Sequence, residues 1–220
     1  MSRIFDTLFA AAVLVVTLPL WVIAAVGIKL ASPGPFFYRA VRIGLDGVPF
    51  SMFKFRTMHV TQGGAVITSA QDRRIFRFGM VLRKTKIDEL PQLLNILRGD
   101  MAIVGPRPEA PEIVADAYTD WMRETLSVRP GLTSPGSLYY YAVAENQIAD
   151  DDPEQHYIRE VLPLKLAIDR GYLDRRSFGS DLRIILRTLT TIARLGLGKD
   201  VPVVGIDLVA ARPWCADTGQ

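Results

Sequence analysis

An α+β fold dominated by helices is expected for this chain of 220 residues, on three observations. Residues 7–28 carry no charge, a length that suits a helix inserted in a bilayer. Two short runs of alternating character flank Asp46-Gly47, the signal of a small β-hairpin. Further on, apolar residues recur at i, i+3, i+4 and i+7 in stretch after stretch, the period of amphipathic helices. The layout expected is a membrane-inserted helix over 1–32, a mostly helical domain over 33–200 and a tail over 201–220.

The composition narrows the function classes. A mean hydropathy of +0.19 is oily for a soluble domain, and the N-terminal run accounts for the excess. A net charge of +3 fits an anionic partner such as a membrane surface or a phosphorylated substrate, and it is too small to argue for nucleic acid. Cys215 stands alone, which excludes an internal disulfide and a cysteine-based zinc cluster. His59 and His156 lack the spacing of metal ligands.

Pro19 falls near the middle of the N-terminal helix, where it removes a backbone bond and kinks the segment. Both a spanning helix and one that enters and turns back satisfy the residues. Lys29, Arg39 and Arg42 follow closely and place the domain on the cytoplasmic side. In the second hairpin arm, Phe53 and Phe55 point one way while Lys54 and Arg56 point the other. That basic face either contacts phosphate or is solvated. Gly63-Gly64 marks a loop, and 72–84 reads as a basic helix with Ile75, Phe76, Gly79 and Leu82 inward.

The stretch from Lys84 to Arg98 holds the candidate chemistry. Leu90, Leu93, Leu94 and Leu97 form one apolar stripe, and Pro91 is tolerated only in a first turn. The helix therefore starts near Asp88, which puts Asp88 and Glu89 among free N–H donors with Arg83, Lys84 and Lys86 close by. Two adjacent carboxylates amid positive charge either hold a divalent metal, supply a nucleophile or simply cap the helix. Met101–Val104 reads as a short buried strand. The prolines of Gly105-Pro-Arg-Pro108 then present Arg107 rigidly, in the side chain best shaped to grip phosphate.

A helix is expected over 109–125, and a stiff loop over 129–136 leads to Tyr139-Tyr-Tyr141. Asp152 before Pro153 is a plain N-cap, which argues against metal binding by Asp150-Asp-Asp152. A helix over 154–170 leaves Asp169 near its C-terminal end, where a carboxylate opposes the dipole and so has a cationic partner or a task. A last basic amphipathic helix begins at Asp181, with Leu182, Ile185, Leu186 and Leu189 on one side and Arg183, Arg187 and Arg194 on the other. It suits an anionic membrane surface.

Five motifs, in order, carry a resemblance: Lys54-Phe-Arg-Thr-Met58, Asp88-Glu-Leu-Pro-Gln-Leu93, Arg98-Gly-Asp-Met101, Val104-Gly-Pro-Arg-Pro108 and Arg129-Pro-Gly-Leu-Thr133. From Arg3-Ile-Phe-Asp6 to Asp181-Leu-Arg-Ile184 the chain resembles the bacterial sugar transferases, the monotopic phosphoglycosyl transferases, in their short form. The resemblance implies an enzyme of the bacterial inner membrane with its catalytic domain on the cytoplasmic face. It implies transfer of a phosphosugar from a UDP-sugar to polyprenyl (undecaprenyl) phosphate with release of UMP, the initiating step of glycoconjugate or exopolysaccharide synthesis. It further implies a re-entrant N-terminal helix broken at Pro19, and amphipathic helices lying at the membrane lipids. Asp88 matches the nucleophile that forms an aspartyl-phosphosugar, and Glu89 its partner, the two holding Mg²⁺. Arg107, Arg83, Lys54, Arg56 and Asp169 match substrate-binding positions. A homodimer is compatible with this picture.

Three positions depart from the family pattern: Leu18 where a serine often precedes the proline, Ala40 in place of Gln, and Ser134-Pro-Gly-Ser137 in place of Gly-Trp. The competing readings are a non-catalytic membrane-docking module, indifferent to neutralisation of Asp88, and another membrane phospho-transfer that would release pyrophosphate rather than UMP.

Overall fold

The computed structural model describes residues 1–60, 72–142, 152–202 and 205–215, so Gly63-Gly64 and Asp150-Asp151 lie outside the described residues. Helix α1 (Arg3–Ala31) is assigned without a break through Pro19, its start capped by Ser2 Oγ accepting from Phe5 N–H. Pro19 removes one backbone donor. In the turn before it, the Thr17 hydroxyl donates to Val13 O at 2.7 Å. One face of α1 is buried at Asp6, Ala10, Ala24 and Ile28; the other exposes Leu8, Val15, Val16, Ile23 and Leu30.

Both ends of α1 are tied to the rest of the chain. Near the start, Arg3 donates to the carbonyls of Ile96 and Leu97, and Asp6 accepts from Ile103 N–H. At the far end Arg56 donates to Ser32 O at 2.7 Å, Ser32 Oγ at 2.8 Å and Pro35 O at 2.6 Å. A helix of this length is about 43 Å long, more than the hydrocarbon thickness of a bilayer. Yet its two ends are both bonded to one domain, while Leu18, Pro19 and Leu20 between them are exposed.

The hairpin forms as expected. Strands β1 (Phe37–Ile43) and β2 (Pro49–Phe55) pair antiparallel with Ala40 opposite Met52, and Asp46 and Gly47 both take positive φ in the turn. Trp21 packs edge-on against Phe55 and Phe37, at 5.2 and 6.1 Å between ring centres, and so seats the end of α1 on the hairpin. Helix α2 is shorter than expected (Arg77–Lys84), because Asp72 folds into a turn with Arg74.

Helix α3 (Gln92–Arg98) ends at Gly99 in the left-handed conformation. Strand β3 (Ala102–Val104) then pairs in parallel with β4 (Gly131–Thr133), a segment expected to be loop. The glycines allow it: a Cβ on Gly131 would lie 2.2 Å from Gly105 N, and one on Gly105 would lie 2.5 Å from Arg129 O. Between the two strands the expected single helix is broken into α4 (Pro111–Ala117) and α5 (Asp120–Arg123). Tyr118 and Thr119 are extended there, which turns the Tyr118 ring into a core of Ile113, Val114, Met122, Leu162 and Leu166. Burial of that ring overrides local helix propensity.

Helix α6 (Pro135–Ala142) follows β4 directly. Then α7 (Pro153–His156), a π turn over Tyr157–Val161 and α8 (Leu162–Leu173) make one helical run capped by Asp152. Asp169 is fully buried inside α8, accepting from Gly136 N–H at 2.8 Å and Ser134 Oγ at 3.2 Å. Its task is thus a tie between α8 and α6. Helix α9 (Phe178–Gly196) opens on a capping box of Ser177 and Ser180. The tail, uninformative in sequence, carries α10 (Gly205–Cys215), fixed by Arg187–Asp207 at 2.6 Å and by Trp214 packed between Trp121 and Arg170.

Gly131→Ala forces two backbones apart. It is expected to destabilise the fold by about 2 kcal/mol or more, whereas Gly179→Ala in α9, where a new Cβ meets only Ser177 Oγ at 4.0 Å, should be neutral or slightly stabilising; thermal denaturation of the pair checks this. Burial pushes the Asp169 carboxyl up to about 6, against the Gly136 N–H that favours its charge. Between the unfolded value and about 6 the folded state holds a proton that the unfolded state releases, so this group lowers stability as pH rises and stops doing so above about 6. Asp169→Asn removes that loss, and its stability relative to wild type should improve from pH 4 to pH 7 by on the order of 3 kcal/mol, measured by denaturant unfolding at each pH.

Candidate active site

Asp88 and Glu89 do not stand at the mouth of an α-helix. They lie in a 3₁₀ turn over Ile87–Glu89, and Glu89 and Leu90 N–H already donate to Lys86 and Ile87 carbonyls. Two of the backbone donors expected to be free here are thus taken, and neither carboxyl caps a helix. Lys86 makes the approach. Its φ of 54°, rare for a residue with a side chain, turns the chain sharply between α2 and the 3₁₀ turn.

The side chains around the two carboxyls come from separate elements. The β3–β4 pair fixes Gly105 and Pro106 through Gly105 N–H to Thr133 O and Gly131 N–H to Pro106 O, and Arg107 projects from that turn. Its guanidinium grips Glu89 in fork fashion, at 3.0 Å to Oε2 and 2.5 Å to Oε1. Lys54 from β2 reaches Glu89 Oε1 at 3.2 Å, and Tyr141 from α6 lies 3.5 Å away through its hydroxyl. The Lys86 ammonium sits 3.8 Å from the centre of the Tyr141 ring. Beyond the turn, Glu109 is held by buried Lys165 and by Tyr157 OH at 2.6 Å, which anchors the residue two places after Arg107.

The two carboxyls are set apart by these partners. Burial lifts Glu89, but Arg107 and Lys54 outweigh it and hold its carboxyl well below the usual range. Burial also lifts Asp88, and there it prevails over the pull of Lys54; the neighbouring Glu89 charge adds to it, and the carboxyl stands at about 6. Asp88 Oδ1 is buried and has no hydrogen-bond partner. Lys54, Lys86 and Arg83 all bear on the Asp88 charge, and Arg107 joins Lys54 and Lys86 at Glu89. Four cations thus act on the two carboxylates.

Of the residues singled out in sequence, Asp88, Glu89, Arg107, Lys54 and Arg83 are brought together. Arg56 is not: it shares the Lys54 face of the strand, but its guanidinium is taken up by Ser32, Pro35 and Met58 at the end of α1. Asp169 is likewise bonded elsewhere, to Ser134 and Gly136. Tyr141 and Lys165 gave no sequence signal of a role, because each acts across the fold. Nor did Gln92 and Asn95, whose place on the buried face of α3 shows only in the fold.

No cluster of three or more His, Cys, Asp or Glu side chains exists among the described residues. Mg²⁺ does not need one, since it keeps several waters and commonly takes one or two carboxylates together with substrate phosphates. The unpartnered Asp88 Oδ1 fits such an ion better than Glu89, whose oxygens are both engaged.

The model of the bacterial sugar transferase family matches residues 1–195. A UDP-glucose:undecaprenyl-phosphate glucose-1-phosphate transferase of Caulobacter vibrioides is 38% identical over 87% of this chain and 69% of its own length. The protein of that name from Escherichia coli is 38% identical over 86% of the chain, which spans only 39% of the relative. A UDP-N-acetylgalactosamine-undecaprenyl-phosphate N-acetylgalactosaminephosphotransferase of Aeromonas hydrophila is 34% identical over 87% of the chain and 43% of its own length. The matched span takes in α1, the hairpin and all the residues around the two carboxyls, and the chain belongs to the bacterial sugar transferase family.

Proposed function

We propose that this protein transfers a phosphosugar from a UDP-sugar to undecaprenyl phosphate, through a covalent phosphosugar on Asp88. One observation carries the reading: a buried carboxylate with a free oxygen, beside a second carboxylate already neutralised by arginine and lysine. The relatives' names supply the substrate class, a UDP-sugar and undecaprenyl phosphate, and they divide between glucose and N-acetylgalactosamine.

In the first step an Asp88 oxygen attacks the sugar-bearing phosphorus; the new O–P bond forms as the bond to UMP breaks, and UMP leaves with the electron pair. Arg107, Lys54, Lys86 and Arg83 stabilise the charge on the phosphoryl oxygens. In the second step a phosphate oxygen of undecaprenyl phosphate attacks the same phosphorus and Asp88 leaves as carboxylate. Splitting the transfer lets a water-borne and a lipid-borne substrate use one site in turn. Mg²⁺ bound at Asp88, with Glu89 beside it, would screen the negative charge of the diphosphate.

The membrane arrangement is part of the proposal. Helix α1 is re-entrant in that both its ends stay on the cytoplasmic side; continuous through Pro19, without the break the resemblance implied, it lies in the cytoplasmic leaflet and the domain stays on the cytoplasmic face of the inner membrane. Its two ends, each bonded to the same domain, support this, as do the apolar residues along its outer face and the cations that follow it. The exposed row Phe178, Leu182, Leu186 and Leu189 on α9 continues that surface, and Phe178 packs against Phe5 at 5.5 Å. With Arg183 and Arg194 alongside, α9 lies at the lipid headgroups.

Labelled UDP-sugar offered without acceptor should leave label on the wild-type protein and none on Asp88→Asn. The labelling rate in the absence of acceptor should climb with pH through about 6, as the Asp88 carboxylate forms, and level off above. Equal labelling of both proteins removes Asp88 from the nucleophile role, and release of pyrophosphate in place of UMP identifies another phospho-transfer. In a Cys215→Ser background, Ser2→Cys and Pro33→Cys should both react with an impermeant thiol reagent from the cytoplasmic side of oriented vesicles. Reaction of the two from opposite sides means that α1 spans.

A further inference from the structure

Helix α3 and the 3₁₀ turn before it set Glu89, Gln92 and Asn95 among buried residues, and one of these polar side chains is out of keeping with the others. Asn95 saturates its amide: its oxygen accepts from Phe53 N–H at 2.9 Å, and its nitrogen donates to Ser51 O at 2.7 Å and Asp100 at 3.1 Å. Glu89, at the other end, is saturated by Arg107 and Lys54. Gln92 lies between them with no solvent exposure, and neither its nitrogen nor its oxygen has a partner.

Backbone angles place this amide relative to the reacting carboxyl. Leu90 and Pro91 are both right-handed helical, so the 3₁₀ turn runs into α3 without changing hand. Residues 88, 92 and 95 therefore share one face, four and three apart. Asp88 has the other unpartnered buried oxygen of this cluster, one turn before the unpartnered amide. A buried amide left unbonded costs stability, and a methionine would fill the same volume without that cost. Two orphaned polar groups on one face, next to the satisfied Asn95 and Glu89, mark a place made to receive a polar group.

We infer that Gln92 is a ligand of the transferred phosphoryl group: its carboxamide N–H donates to a non-bridging oxygen of the phosphosugar carried on Asp88. The inference rests on the aspartyl-phosphosugar reading above. The donor is neutral, so it adds directional hold without further positive charge, and its oxygen is left to accept from a water or hydroxyl that arrives with the group. The bond exists only once phosphorus is bonded to Asp88. Its loss accordingly slows the covalent step and leaves UDP-sugar binding nearly intact.

Gln92→Met and Gln92→Glu, in the full chain, test this by single-turnover labelling with UDP-sugar, by kcat and KM for UMP release, and by Tm. Gln92→Met should hold or raise Tm while slowing labelling by about 10- to 100-fold with little change in KM. Gln92→Glu, which has no donor when ionised and repels phosphate, should slow it further. Unchanged labelling in Gln92→Met overturns the inference and leaves the Asp88 reading standing. A lower Tm with labelling lost in proportion also overturns it, because the amide then has partners inside the fold. Wild-type protein that takes no label overturns both.

Discussion

The fork between Arg107 and Glu89 is the interaction on which the arrangement of this site depends. It joins the turn after β3 to the 3₁₀ turn before α3, and Lys54 adds the hairpin to the same carboxylate. A buried carboxylate on its own would be strongly unfavourable, and truncating Arg107 would leave one. Each element in the neighbourhood is positioned so that the pair can form: the parallel β3–β4 contact sets the Arg107 turn, and the Glu109–Lys165 pair fixes it from behind.

What the sequence made legible follows from local chemistry. The charge-free run and the Asp46-Gly47 turn each reflect a short-range rule, and each is found. The leucine stripe is not the inner face of α3: Gln92, Leu93, Asn95 and Ile96 are buried, while Leu90, Leu94 and Leu97 are half-buried. Parallel pairing of two three-residue strands is a different matter. Nothing local distinguishes Gly131–Thr133 from a loop; the glycines matter only because another backbone passes 2.2 Å from where a Cβ would be. The break at Tyr118 and the packing of α10 are hidden for the same reason, since burial against distant residues decides them.

The candidate site was half legible. Asp88, Glu89, Arg107, Arg83 and Lys54 converge because their motifs lie on elements that meet. Arg56 shows where face-counting fails: it sits two residues from Lys54 on the same side of the strand, yet the strand ends at Phe55 and the chain turns toward Ser32. Asp169 was expected to have a cationic partner or a task, and its partners proved to be a backbone N–H and a hydroxyl. Both residues belong to the joints that hold the site's walls together.

Two adjacent carboxyls seldom do the same work, because the environment drives their proton affinities apart. Here the division is visible in the hydrogen bonds. Glu89 has both oxygens engaged by cations and stays ionised, so its lone pairs are already committed. Asp88 is held near 6 and keeps an oxygen unpartnered; it is ionised at neutral pH and still basic enough to attack. Nucleophilicity rises with basicity, so the raised carboxyl is the better attacking group and the depressed one the better fixed charge. The order in the sequence cannot decide between Asp88 and Glu89; the proposal assigns the attack to Asp88 because Arg107 neutralises Glu89 and leaves Asp88 as the carboxylate with an unpartnered oxygen.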